Sequence, residues 1–283
     1  MGRSISVCHS TRVEHHADLS RFWEIEDPLS ASSFTEDELL CEEHFVANHV
    51  RLSSGQFKIR LPFRDGSPIE IGNSLGRAKL ILEKTVACSK TKSAIQVEHF
   101  AFLSDYKELN HMELVNDFKE TDSSQTVYLS HHPIIRENSS TTHLRVVFNA
   151  SSITSAGSSL NSHLHIGPKL LTDLVSIILR WGMPHFVFVA DVEKMFRQIK
   201  VNPRDCDYQR ILKHLPEGKL EAWRLINVTY RTSCAPHLAN RVIKQLARYG
   251  GFHFPKNQAI LKNNVYVDDV LFSADTTEEA NKF

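Results

Sequence analysis

Residues 263–272, NNVYVDDVLF, specify a strand, a reversal and a second strand within ten positions. Val265, Tyr266 and Val267 lead in, and Val270, Leu271 and Phe272 lead out. These β-branched and aromatic side chains suit a pleated, half-buried surface. That reading puts Asp268 and Asp269 at the tight turn of a hairpin. Two physical accounts of the adjacent charges stand side by side. Aspartate is a common turn residue and solvent screens the repulsion. Alternatively, a divalent cation beside the pair reverses the local electrostatics and makes neighbouring carboxylates favourable.

A third carboxylate enters from FVFVADVEKMF. The continuous apolar run Phe186 to Ala190 predicts a strand buried on both faces, with Asp191 at its end, projecting into a cleft beside the hairpin. Two-metal sites need such convergence, because cations roughly 3.5–4 Å apart require bridging and flanking carboxylates. One ion lowers the pKa of an attacking hydroxyl and the other stabilises a leaving pyrophosphate. All-oxygen ligands and phosphate substrates suit magnesium, two ions here, with manganese as a substitute.

The remaining patterns predict an α+β chain in which helices and antiparallel strands are segregated. Residues 1–30 read as a leader with an anchor at Phe22, Trp23 and Ile25. Residues 31–120 read as a mostly helical connector, and residues 121–283 hold the strands and the carboxylates. Ser33 and Glu36 form a capping box before a helix carrying Leu39, Leu40, Phe45 and Val46. GQFKIRLPF alternates as a half-exposed strand. Helices are expected at 74–88 and 93–118, then a strand pair from TVYLSHHPII and HLRVVFN. A Ser-rich loop without periodicity follows, then an amphipathic helix over KLLTDLVSIILRWG. KLEAWRLINVTY reads as a strand and SCAPHLANRVIKQLARYG as a helix.

Lys plus Arg and Asp plus Glu both number 33. The balance hides a polarity. From Arg136 to Arg248 there are sixteen basic against eight acidic residues, a net of +8, so the rest of the chain carries −8. A basic central segment is the footprint of a phosphate-binding surface, or a solvated face on a neutral protein. The five cysteines are odd in number, scattered and free of CxxC pairs, which fits reduced, intracellular thiols. Cys41, His44 and His49 have metal-like spacing, although an amphipathic helix explains that stretch as well. MGRSIS fits the loose myristoylation pattern at Gly2. No apolar run approaches the ~20 residues of a membrane helix, so no membrane partner is expected.

CEEHF, FKIRLPF, LRVVFNASS, LNSHLHIGPKLLTDLVSIILR, ADVEKMFRQIKV, VTYRTSCAPHLANRVI and YVDD occur in that order, from about residue 20 to the end. The set resembles the reverse transcriptase region of BEL/Pao-type LTR retrotransposon polyproteins. The resemblance implies right-hand polymerase fingers and palm, an antiparallel sheet packed on helices and incomplete at the C-terminus. It implies an RNA-directed DNA polymerase, a nucleotidyltransferase acting on deoxynucleoside triphosphates with an RNA or DNA template and primer. Asp191, Asp268 and Asp269 would hold the metals, with the main-chain oxygen of Val192. Phe196 would sit under the sugar and clash with a 2′-hydroxyl; alone, it reads as a core aromatic. Arg145 would grip the triphosphate, since a guanidinium offers forked donors and stays charged. Arg136 and Lys194 are candidates for template or primer phosphate, and Tyr266 would lie near the primer end or simply be packed.

Two positions depart from the family pattern. Arg231 stands where glycine is usual, so it either crowds the nucleotide or donates to phosphate. Asn149 stands where aspartate is usual. RDGSP lacks the Asp-Thr/Ser-Gly order of an aspartic protease. The sequence reads as fingers and partial palm cut from a polyprotein with protease upstream and thumb, RNase H and integrase downstream. The chain alone is therefore expected to polymerise poorly, and a relic that only binds nucleic acid is the alternative. The resemblance places the protein in the cytoplasm, in virus-like particles, or in the nucleus.

Overall fold

The computed structural model describes residues 34–90, 93–116, 118, 125–135, 143–215, 218–250 and 254–280. Gly2, the anchor at Phe22, Trp23 and Ile25, Ser33 and Arg136 lie outside them. The chain divides into compact units Met1–Thr35 and Glu36–Phe283, and every described element lies in the second.

Helix α1 (Glu36–Asn48) opens with Glu36, Asp37 and Glu38, where the partial positive charge of a helix N-terminus favours acids. It buries Cys41 and Phe45, whereas the predicted stripe residues Leu39, Leu40 and Val46 are exposed. Strands β1 (Val50–Arg51) and β2 (Phe57–Ile59) pair antiparallel, and the alternation holds, with Phe57 and Ile59 buried. Helices α2 (Leu75–Lys90) and α3 (Ser93–Glu108) follow.

The second predicted helix stops ten residues short of 118. Asn110, at φ 54°, turns the chain in the left-handed conformation that ends many helices. Residues Met112–Leu114 then become strand β3 and pair antiparallel with Leu225, Arg224 and Trp223. A non-local partner outweighs the helical spacing of Leu109 and Leu114.

Strands β4 (Ser130–Ile135) and β5 (Leu144–Asn149) form the expected antiparallel pair. The Ser-rich loop is more ordered than its composition predicts. It carries a one-turn 3-10 helix, Leu160–His163, capped reciprocally by Ser159 and Ser162, with Leu160 and Leu164 buried. Helix α4 (Leu174–Trp181) is shorter than the apolar stretch, because the Asp173 carboxylate accepts from the Ser176 amide at 2.8 Å and fixes the start.

Next come β6 (Phe186–Asp191), β7 (Lys200–Val201), β8 (Arg210–His214), β9 (Leu220–Leu225), helices α5 (Ala235–Gly250) and α6 (Pro255–Asn263), strands β10 (Val265–Tyr266) and β11 (Asp269–Ala274), and α7 (Thr277–Ala280). The sheet orders are β1-β2-β7, β3-β9-β8, β4-β5 and β10-β11-β6, and the architecture is α+β.

Strand β6 corrects an expectation. It is not buried on both faces: Phe186, Val187 and Val189 are exposed. The apolar run dictates a strand, but burial depends on neighbours. Among the described strands β6 pairs with β11 alone, at the edge of a three-stranded sheet.

One large core joins Phe45, Ile59, Leu103, Phe148, Ile211 and Leu238, drawing on residues from both sides of position 120. Cys41, Cys206 and Cys234 are free and buried, and burial pushes each thiol up to about 12. Cys41 faces the core, and no group of three His, Cys, Asp or Glu that could hold a metal lies among the described residues. The ring of His49 stacks instead on Phe45, at 4.7 Å between centroids.

Candidate active site

Strand β6 delivers Asp191 to the site, and the β10–β11 hairpin delivers the acidic pair. The antiparallel register sets Asp191 directly opposite Asp269. The Val192 amide donates to the Asp268 carbonyl at 2.8 Å, which ties the strand end to the turn. The turn residues are Val267 and Asp268, one position earlier than the sequence suggests, since Asp269 already pairs with Tyr266 in the ladder. Val267 sits at φ 58°. A β-branched residue in the left-handed region is a genuine outlier.

Beyond Val192 the chain enters a one-turn 3-10 helix, Met195–Gln198, through Lys194 at φ 51°. Met195 is buried, while Phe196 packs half-buried against the core. Arg197 reaches back to Asp105 at 3.3 Å and lies 4.5 Å from the Tyr106 ring centroid. The Asn227 side-chain amide donates to the Arg197 carbonyl. These contacts fix the turn that follows the strand.

Arg231 occupies a third left-handed position, at φ 71°. Asn161 clamps this turn from the 3-10 helix of the Ser-rich loop. Its Nδ2 donates to the Arg231 carbonyl at 3.1 Å and its Oδ1 accepts from the Ser233 amide at 2.8 Å. The neighbouring Tyr230 hydroxyl donates to the Val146 carbonyl on β5. Burial pushes its pKa above the ordinary tyrosine range, so Tyr230 is a neutral strut.

These segments enclose a cleft of about 500 Å³. Asp191, Val192, Phe196, Arg145, Arg231 and Asp268 all line it, six of the seven positions expected to hold metal or nucleotide. Asp269 does not; it stands beside the cleft, opposite Asp191. Lys194 lines the cleft with its ammonium on Glu193, which holds that carboxyl below its usual range. Arg197 and Tyr230 also line it, and neither was singled out, although both fall inside the quoted motifs. Nothing in the Ser-rich loop distinguished Asn161 before its partners at 231 and 233 were known. Tyr266 is half-buried in β10, and Arg210 is held by Asp207 at 2.8 Å, neither of them at the cleft.

The four non-glycine residues at positive φ among those described are Asn110, Lys194, Arg231 and Val267; Lys194 and Arg231 line this cleft, and Val267 directly precedes Asp268, which does. Strain gathered at one place is a mark of function. Arg145 and Arg231 are exposed and make no ion pair among the described residues. Two exposed guanidinium groups in a cleft with two carboxylates have the chemistry to suit a polyanion accompanied by a cation.

No three His, Cys, Asp or Glu side chains among the described residues gather as a ready-made metal cage. The donors present nevertheless fit magnesium. That ion binds through one or two carboxylates and completes its shell with water and substrate phosphates.

Arg231 permits a test of the strain. The left-handed conformation costs a non-glycine residue about 1–2 kcal/mol, and glycine loosens the unfolded chain by roughly 0.4–1 kcal/mol. Arg231→Gly is therefore expected to leave stability unchanged or raise it by about 1 kcal/mol in urea denaturation. A loss of more than that would show that the arginine side chain itself holds the turn.

No family model matches the chain, and no curated protein does. Solved structures resemble it. The Prototype Foamy Virus protease-reverse transcriptase, a CSH mutant, superposes with a TM-score of 0.50 at 11% identity, over 94% of this chain and 28% of that one. The foamy viral protease-reverse transcriptase dRH in complex with double-stranded DNA gives a TM-score of 0.45 at 14% identity, over 62% of this chain and 25% of that one. The chain thus spans about a quarter of the length of the structures it matches. The fold is reverse-transcriptase-like, and at such identity the likeness speaks to the fold alone.

Proposed function

We propose that the chain is the fingers and partial palm, residues 121–283, of an RNA-directed DNA polymerase from a BEL/Pao-type retrotransposon polyprotein. One observation carries the reading: a single cleft in a reverse-transcriptase-like fold brings Asp191 and Asp268 together with two exposed arginines, Arg145 and Arg231, that make no ion pair among the described residues. The substrates are a deoxynucleoside triphosphate and a primer annealed to an RNA or DNA template. Protease, thumb, RNase H and integrase regions would be its neighbours in the polyprotein.

Arg145 binds the triphosphate, and Arg231 adds a second phosphate donor. Phe196, anchored in the core, presents its ring beneath the sugar and excludes a 2′-hydroxyl by contact. Asp191, Asp268, Asp269 and the Val192 carbonyl would hold two magnesium ions. When bound, these ions lower the pKa of the primer 3′-hydroxyl and neutralise the departing pyrophosphate. The residues of the chain align the hydroxyl with the α-phosphate, so that positioning and electrostatics do most of the catalysis.

Equilibrium titration of the purified chain with a fluorescent deoxynucleoside triphosphate tests this. Binding is expected to need Mg²⁺ and to weaken roughly ten-fold or more in Arg145→Ala, the worth of a charge-assisted phosphate contact. Phe196→Ala is expected to erase the preference for deoxy- over ribonucleotide. Arg231 and Asn149, both unusual for the family, favour a second reading, a relic that binds nucleic acid without turnover. Salt-dependent duplex binding with no magnesium-dependent triphosphate binding would identify that relic and overturn the polymerase reading.

A further inference from the structure

A row of rings runs from the core to the surface at the C-terminal end of α5. Phe45, buried under the Arg241 guanidinium at 4.6 Å, stacks on His49, with the planes within 8°. His49 stacks on Phe57 at 6.3 Å, and Phe57 on Tyr249 at 6.0 Å with the planes 13° apart. The His49 ring nitrogen and the Tyr249 hydroxyl are 3.3 Å apart. Tyr249 ends the row 46% exposed, and the Arg51 guanidinium stands 5.8 Å from its centroid. The inner rings hold Tyr249 in place, so its exposed surface is a rigid aromatic platform.

The surroundings are cationic. Arg51 and Arg248 are exposed and have no ion pair among the described residues. Lys244, one turn before Arg248 on the same helix face, donates to the Lys262 carbonyl rather than to a carboxylate. Burial, then Arg241 and Arg248, hold its pKa below the usual lysine range. At the buried end of the row Glu42 is held by Arg241 at 2.8 Å. None of these residues lines the active-site cleft.

We propose that Tyr249 and Arg51, flanked by Arg248 and Lys244, form an accessory shelf for single-stranded nucleic acid, with a base stacked on Tyr249 and its phosphates on the arginines. A fixed exposed ring beside unpaired cations recognises the π-face of any base together with the adjacent backbone charge. An acidic peptide would satisfy the cations and leave the ring unused. The shelf does not require the cleft to be a polymerase.

Fluorescence anisotropy of the full chain with a 20-nucleotide fluorescein-labelled oligothymidine tests the shelf. Tyr249→Ala is expected to weaken binding roughly 5- to 100-fold, and Tyr249→Phe to retain it, because the ring and not the hydroxyl makes the contact. Arg51→Gln is expected to weaken binding and to flatten the salt dependence by about one phosphate contact. Circular dichroism melts of each variant separate lost binding from lost fold. Unchanged affinity in a folded Tyr249→Ala variant, or the same loss for a poly-glutamate probe, would overturn the shelf. Arg145→Ala serves as the comparator: if it loses the triphosphate and keeps the oligothymidine, shelf and cleft are separate, and either can fail without the other.

Discussion

Asp205→Ala is expected to lower the stability of the chain by about 3–5 kcal/mol, the usual result of leaving one half of a buried ion pair alone. Asp205 is fully buried, with 0% of its surface exposed. One carboxylate oxygen accepts from Arg60 Nε at 2.7 Å and from the Leu61 amide at 2.9 Å. The alanine variant strands both donors. It also frees the loop after β7, where the Asn202 amide donates to the Ile59 carbonyl at 2.7 Å. The Arg60 side chain is 22% exposed and reaches Ser67 at 3.1 Å, so part of its charge recovers water and the loss falls toward the lower end. Asp205→Asn keeps the shape and one acceptor and removes the charge, for a loss of about 1.5–3 kcal/mol. Urea denaturation with an unchanged slope measures both. A loss below about 1 kcal/mol for the alanine variant would mean that Arg60 and Leu61 find other partners. Asp205 does not line the cleft, so the folded fraction should bind triphosphate as before.

That ion pair also shows what a sequence conceals. Arg60 and Asp205 are 145 positions apart, and neither stood out. The hairpin and β6 were legible because local chemistry writes them: β-branched runs make strands, and aspartates punctuate them. The exposure of β6 was not legible, since a continuous apolar run reports strand propensity and not what covers it. The turn slipped by one residue because valine is a poor predictor of a left-handed turn, yet Val267 adopts one. The helix ending at Glu108 gave way to pairing with β9, a contact more than a hundred residues away. The candidate site was more legible than the fold. Its three carboxylates and two arginines sit in ordered motifs, and four of the five line one cleft. Its supports were hidden. Asn161 acts through backbone groups at 231 and 233, and Tyr230 through a carbonyl on β5, which no spacing rule encodes.

Asp269→Asn is expected to change sign with magnesium. Asp191 and Asp269 lie directly opposite across an antiparallel pair. Like charges so placed destabilise a sheet by about 0.2–1 kcal/mol. All three aspartates are exposed, so no buried contact is lost with the charge. In EDTA the asparagine variant should therefore be as stable as the native chain or more so, by up to about 1 kcal/mol. Magnesium and a triphosphate reverse the order. A ligand at a hundred times its dissociation constant stabilises the folded state by about 2.7 kcal/mol. The native chain should gain on that scale, whereas Asp269→Asn, Asp191→Asn and Asp268→Asn should gain little. The same substitutions in a complete polymerase should cut nucleotide incorporation roughly a hundred-fold or more, since they remove charge that positions the reacting phosphate. Thermal melts in EDTA, in magnesium, and in magnesium with triphosphate give the comparison without any turnover. Three aspartates that merely decorate a turn would show the first effect and not the second: relief of repulsion in EDTA, and no divergence between native and variant when magnesium and triphosphate are added. A divergence confined to magnesium with triphosphate would place the ligands for the cation partly on the substrate.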